Sequence, residues 1–321
     1  MSEVLGPWLP RIVDGETGRR SNWIAFVRAI LMKHPDFEED PDVAPFRFVQ
    51  WDGRLINEWP LIRLRDGVDP TAVTFETGYA DDALRSFAIF DSAQAAGKIP
   101  AGVRYQACSG TPLAIAYLWI SPKSRAGFVE AYSRHLAGEL ERIAAAIPHE
   151  RLAYQWDVCP EVLMWEGYFD QPADYKETIL SSLARVGSTV PESIEMGYHL
   201  CYGSPQDEHL VQPKDMGVLI EMTNSIVDRS ERRVDWMHMP VPVDRRDAAY
   251  FEPLSRLRLP PETALYLGCV HPGEEAGNAE RLALARGYAR IDGIGSECGW
   301  GRGDPAKLDP ILAAHRALVA N

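Results

Sequence analysis

Short runs of β-forming residues alternate along this chain with longer stretches of helical periodicity, and that alternation constrains its fold most strongly. LPRIVD (9–14) reads as a first strand, with a helix over SNWIAFVRAILMKH (21–34) behind it. Further strand candidates are TAVTFE (71–76), GVRYQA (102–107), LAYQWD (152–157), IEMGYHLC (194–201), VDWMHM (234–239), TALYLGCV (263–270) and IDGIGSE (291–297). Helical stretches such as FVEAYSRHLAGELERIAAAI (128–147) separate most of them. Eight strands so spaced predict an α/β protein, a (β/α)8 TIM barrel in one domain over residues 1–321. Residues 35–70 read as an insertion, because FRFVQW and RLINEW flank Asp52-Gly53, a two-residue turn sequence. An N-terminal β-hairpin is therefore expected there. An open doubly wound sheet is the alternative, but no G-x-G-x-x-G follows the first strand.

Composition narrows the classes of function. Apolar residues make up 46% and charged residues 25%, ordinary values for a globular enzyme. The net charge of −13, with acids scattered along the chain, argues against a nucleic-acid partner. No run of about 18 apolar residues occurs, so no membrane partner or span is expected. The opening MSEVLGPWLPRIVDGE carries no basic and apolar leader pattern. Five widely spaced cysteines, an odd number, fit a cytoplasmic chain with reduced thiols.

A barrel places its functional residues at the C-terminal ends of its strands. Read in order, those ends offer Asp14, Gly15 and Glu16; Glu76; Cys108 and Ser109; Asp157 and Cys159; His199 and Cys201; His238; His271; and Glu297 with Cys298. The chain has eight histidines and five cysteines, and seven of them fall on these ends, a concentration that scaffold strands do not need. In GYHLCYGS, His199 and Cys201 sit one residue apart, so a strand presents both on one side. Cys298, in GSECGWGR, follows the last strand. If strands five and eight share a mouth, two thiolates and an imidazole converge there, a donor set that favours Zn2+ with one exchangeable position. The plain alternative is packing, since cysteine often serves as a small buried apolar residue. That reading is preferred for Cys108, Cys159 and Cys269.

H-L-C at 199–201, E-C-G at 297–299 and Q-W-D at 155–157 resemble cobalamin-independent methionine synthase and its zinc-dependent thiol-alkylating relatives. These belong to the uroporphyrinogen decarboxylase/methionine synthase-like superfamily. The resemblance covers the catalytic barrel, about residues 100–305, and leaves no room for the methionine synthases' extra N-terminal barrel. It implies a cytoplasmic methyltransferase in which zinc activates a thiol substrate for attack on a methyl or alkyl donor. The donor would be a folate, a corrinoid protein, an aryl ether or a strained epoxide. It also implies His199, Cys201 and Cys298 as zinc ligands, with a glutamate ending strand six as the fourth.

Glu221, in VLIEMTNS, is the tempting fourth ligand. However, Met216, Leu219, Ile220, Thr223, Ile226 and Val227 follow helical spacing, which puts Glu221 on the solvent side of a helix over 214–229. Strand six ends instead at His238, which is preferred as fourth ligand or close neighbour of the metal. The resemblance further implies His271 as general acid or substrate contact, and Asp157 as the partner of a substrate amino group. The usual D-E-P continuation is here Asp157-Val158-Cys159-Pro160, a departure from the family. Asp14, Glu16 and Arg19 form a charged stretch at the first strand end, read either as a solvated loop or as contacts to a polar substrate. Trp300, beside Cys298, is the aromatic best placed for substrate. Two other classes stay open: a metal-free decarboxylase or lyase on a uroporphyrinogen decarboxylase-like barrel, and a non-catalytic binding protein.

Overall fold

In the computed structural model, which describes residues 1–205 and 208–320, the β-forming runs become strands. In chain order these are β1 (Arg11–Val13), β2 (Phe37–Glu39), β3 (Phe46–Val49), β4 (Leu55–Trp59), β5 (Ile62–Leu64), β6 (Arg104–Gly110), β7 (Leu152–Val158), β8 (Glu195–Leu200), β9 (Trp236–Pro240), β10 (Ala264–Gly268) and β11 (Gly293–Ile294). Seven form one sheet in the order β1-β6-β7-β8-β9-β10-β11, parallel throughout. Helices carry the chain back between them, among these Pro122–Ala146 after β6 and Gly217–Arg229 after β8.

Alternation along each strand divides two faces. Tyr154, Trp156 and Val158 of β7, Met196, Tyr198 and Leu200 of β8, and Met237 and Met239 of β9 are at most 1% exposed. They pack beneath the helices; the Tyr198 hydroxyl, for example, donates to the Leu183 carbonyl of the Tyr175–Ser188 helix at 3.1 Å. The intervening residues face the other way, and register aligns Asp157 with His199 and His199 with His238 across β7, β8 and β9.

The sheet curls. In a flat sheet β1 and β10, five strand spacings apart, would be separated by about 24 Å. Here the Arg11 guanidinium of β1 lies 3.9 Å from the Trp236 ring centroid of β9 and 5.5 Å from that of Tyr266 of β10. It also reaches Glu195 of β8 at 3.2 Å, and Arg104 meets the same carboxylate at 3.0 Å. This cluster closes the end of the half-barrel where the strands begin. Among the described residues no ladder joins β1 to β11, so the sheet is a curled seven-stranded half-barrel of TIM-like type.

The expected strand at 71–76 does not form. Instead β1 pairs directly with β6, Arg11 opposite Arg104 and Val13 opposite Gln106. Val73 and Phe75 are buried, as alternation suggests, but Phe75 packs edge-on to Phe128 and Tyr132 rather than beside a neighbouring strand. Period-two burial reports which side of a segment meets the core. It does not report a ladder partner.

The segment after the first helix forms antiparallel ribbons, β2 with β5 and β3 with β4. The β3–β4 ribbon is fastened to loops and to the Pro112–Trp119 helix at the mouth of the half-barrel. The Tyr168 hydroxyl bridges the Val49 N–H and C=O at 2.9 Å each, the Trp59 indole donates to the Leu118 carbonyl at 2.8 Å, and Gln50 donates to the His209 carbonyl. Among the described residues no helix is long and apolar enough to cross a membrane, and none of the five cysteines forms a disulfide.

One buried acid behind the mouth gives a pH-dependent expectation. Glu161 is 0% exposed, accepts a hydrogen bond from Thr111, and has its second carboxyl oxygen unpaired. Burial pushes its pKa from 4.5 up to about 7. Between those two values the folded state keeps a proton that the unfolded chain has lost, so stability falls as pH rises through that window and levels off above it. Glu161→Gln, which retains the acceptor for Thr111, should remove this loss. Urea midpoints at pH 5 and pH 8 should differ less in the variant than in the parent, and an unchanged difference would contradict the assignment.

Candidate metal centre

The mouth is built from strand ends. β8 stops at Leu200, but the Cys201 N–H still donates to the Val158 carbonyl at 3.0 Å, extending the pleat by one residue. His199 and Cys201 therefore project to the same side. Cys298 arrives from the loop after β11. Its approach depends on Gly268: a Cβ there would lie 2.8 Å from the Glu297 Cα and the Ser296 carbonyl oxygen, so only glycine lets this backbone cross the end of β10.

The ligand atoms of His199, Cys201 and Cys298 all lie within 4.8 Å of one another, and the two Sγ atoms are 4.0 Å apart. His199 and Cys201 are buried, and Cys298 is half-buried. Cys201 also hydrogen-bonds Cys159. Its hydrogen bonds to Cys159 and Cys298, followed by burial, hold the Cys201 thiol well above its ordinary pKa. Two adjacent sulfurs in an enclosed place resist becoming thiolates unless a cation joins them. The donor set, spacing and burial fit a zinc ion with an exchangeable fourth position.

His238 stands outside that group. Its Nδ1 is 2.6 Å from His199 Nδ1, and its ring also hydrogen-bonds the Ser296 backbone. One tautomer arrangement satisfies all of this. His199 donates through Nδ1–H to the unprotonated Nδ1 of His238, whose ring donates to the Ser296 backbone, so that Nε2 is the His199 atom that would serve a metal. Burial, reinforced by His199, pushes the His238 pKa down to about 3, so the ring is neutral as the arrangement requires. Glu221 lies on the Gly217–Arg229 helix and bonds Lys176 at 2.5 Å and the Trp165 indole at 3.2 Å, turned away from the mouth.

Asp157 is 7% exposed, in register with His199. One oxygen accepts from the Trp23 indole at 3.0 Å and the other from Gln155 at 2.9 Å. Burial raises its pKa, partly offset by His199 and by the hydrogen bonds from Gln155 and Trp23. Trp23 holds a left-handed backbone, φ +53°, a strained state for a bulky aromatic residue. Gly110, at the end of β6, makes room for this turn: a Cβ there would meet Ile24 at 2.5 Å and the Trp23 ring at 3.3 Å.

His271 is buried after β10, its Nε2 2.9 Å from the Val241 carbonyl and its Nδ1 3.7 Å from Glu297. Burial lowers its pKa against the pull of Glu297. The other Glu297 oxygen is 2.8 Å from His209 Nε2. His209 escaped the sequence reading because its loop has no strand or helix period; its nearness to the H-x-C was the only signal.

The charged stretch after β1 is engaged within the protein. Arg20 pairs with Asp14 at 2.7 Å and Glu16 at 3.4 Å and donates to the Cys108 carbonyl at 3.2 Å, while Arg19 donates to the Thr77 carbonyl at 2.6 Å and to Asp82 at 2.9 Å. The Trp300 indole donates to Ser296 Oγ at 2.7 Å, and its ring packs edge-on against His315.

No protein-family model matches the chain, and no curated protein matches it. Solved structures do. A B12-independent methionine synthase from Shewanella sp. W3-18-1, in complex with selenomethionine, gives a TM-score of 0.55 at 12% identity, covering 89% of this chain and 76% of that one. A candidate vitamin B12-independent methionine synthase from Listeria monocytogenes gives a TM-score of 0.51 at 14% identity, covering 81% of this chain and 71% of that one. The shared property at these identities is the fold.

Proposed function

We propose, from the methionine synthase-like fold of this chain, that it is a zinc-dependent transferase that alkylates a thiol, most simply with a methyl group. The observation that carries the reading is the His199-Cys201-Cys298 group at the strand ends, with donor atoms within 4.8 Å of one another. Zinc held there would supply an open position at which a substrate thiol becomes a nucleophilic thiolate at neutral pH. The chain's own residues do the rest. His238 fixes the ring plane and tautomer of His199. Asp157, held by Trp23 and Gln155, presents a carboxyl group beside the group for a substrate donor. As the sulfur–carbon bond forms and the donor's bond to carbon breaks, the leaving group needs a proton. His271 is the proposed source, in its protonated form: its Nε2–H is committed to the Val241 carbonyl, so the proton it gives is one first taken up at Nδ1, where Glu297 favours the charged ring against burial. A metal-free decarboxylase relying on the β1 acids and arginines draws less support, because those side chains are paired with one another.

Metal analysis combined with X-ray absorption tests the reading. About one zinc per chain with two sulfur neighbours is expected, rising to three on adding a thiol substrate. A metal-free protein active without added metal overturns it. His238→Phe, which keeps the ring volume but removes the acceptor for His199, should weaken zinc binding roughly 10–100-fold. A chelator competition titration measures this, and an unchanged affinity would leave His238 without the orienting role.

A further inference from the structure

The thiols of the candidate metal centre are walled by apolar side chains from parts of the chain remote in sequence. Cys159, Leu163, Cys201 and Leu210 form one buried cluster. Packed against it are Cys298, Trp23 from the loop after β1, Phe48 of β3, Ile56 of β4 and Val211. Phe48 and Ile56 thus bring the β3–β4 ribbon onto the centre, held there by Tyr168, Trp59 and Gln50. An Arg54–Glu208 ion pair at 2.6 Å adds a tie at the ribbon's turn. A substrate bonding through sulfur beside Cys201 and Cys298 enters next to the cluster that holds Cys201. On this side that cluster is faced by indole, phenyl and aliphatic surface. The arginines of the neighbouring β1 loop, which could have received a substrate carboxylate, are spent on Asp14, Glu16, Asp82 and backbone carbonyls.

We propose that the β3–β4 ribbon is the specificity wall of this centre, and that the thiol admitted there carries an apolar, uncharged substituent. The inference rests on the zinc-dependent reading above and names its substrate class.

The test uses the full chain loaded with Co2+, whose sulfur-to-metal absorption reports thiol binding without turnover. Ethanethiol, 1-butanethiol, 3-mercaptopropionate and homocysteine are titrated in turn. Affinity should rise about fourfold per added methylene. The two thiols that carry a carboxylate should bind at least about tenfold more weakly than butanethiol, because that carboxylate would be desolvated without a cationic partner, the β1-loop arginines being engaged elsewhere. Phe48→Ala and Ile56→Asp should flatten the chain-length dependence at unchanged cobalt content, with folding checked by circular dichroism. Homocysteine binding more tightly than butanethiol, or a slope untouched by both variants, overturns the proposal.

A metal-free arm separates the two readings. Cys298 is the cysteine of this chain that is not buried, and Cys298→Ser identifies its signal. In the apo protein a neutral methanethiosulfonate should modify it faster than an anionic one, each rate divided by that reagent's rate with a free thiol. Ile56→Lys, which replaces the apolar face with a cation that receives the anionic reagent, should abolish the difference. Equal normalised rates in the parent overturn the wall itself. Failure to bind cobalt overturns the zinc reading and the thiol assignment with it, while a kept neutral preference leaves the wall standing.

Discussion

Cys201→Ser is expected to take the purified protein from about one zinc per chain to well below one. Serine is close in size but offers no thiolate, so the change removes a donor while leaving the fold in place. Cys298→Ser should do the same, although the two residues lie 97 positions apart in the chain, because their sulfurs meet 4.0 Å apart. Each loss should exceed the roughly 10–100-fold cost of removing a supporting partner such as His238. Cys269→Ser is the control. Cys269 is 0% exposed among core residues, with its pKa held up by burial, and its replacement should leave zinc content unchanged. Retention of full zinc in Cys201→Ser and Cys298→Ser alike would end the zinc assignment.

Arg20→Met should destabilise the fold by about 3–5 kcal/mol. Arg20 and Asp14 side chains are each 3% exposed and 2.7 Å apart, and Ser86 donates to the same carboxylate at 3.0 Å. Burial disfavours the Arg20 charge, but Asp14 and Glu16 outweigh it and raise its pKa, so the guanidinium is permanently charged. Removing it leaves a carboxylate desolvated without its partner, which costs more than the pair contributes. The double variant Arg20→Met/Asp14→Leu should recover a large share, since no buried charge then remains. Urea unfolding of the parent, Arg20→Met, Asp14→Leu and the double variant measures the coupling. A single-variant loss below about 1 kcal/mol would show that Asp14 reaches water, and would return it to consideration as a substrate contact.

Periodicity located most of the strands because each one buries a whole face, and burial on one side of a pleat is written every second residue. The same rule misled at 71–76, where Phe75 alternates correctly but packs against Phe128 and Tyr132 of a helix. Helical spacing put Glu221 on a helix facing away from the mouth, and its partners are Lys176 and Trp165. The charged β1 loop was ambiguous by letters alone. Asp14, Glu16 and Arg19 look the same whether they await a substrate or pair with each other, and pairing depends on Arg20, Thr77 and Asp82 arriving from other elements.

The candidate site divides along the same line. H-x-C and C-G are local patterns, so residue types and side-chain direction at His199, Cys201 and Cys298 follow from chain chemistry. The place of His238 does not: ligand and orienting neighbour share one residue type, and the 2.6 Å approach of the His199 and His238 Nδ1 atoms is visible only in the tertiary structure. Nor do Trp23, Phe48 and Ile56 announce themselves as the surroundings of two thiols. Their letters record that they are apolar, whereas the curl of the sheet and the docking of the ribbon select what they touch. Short-range periodicity specifies strands, helices and their faces, because those depend on neighbours a few residues away. Which faces meet depends on contacts between residues far apart in the chain, and that is where the chemistry of this protein is set.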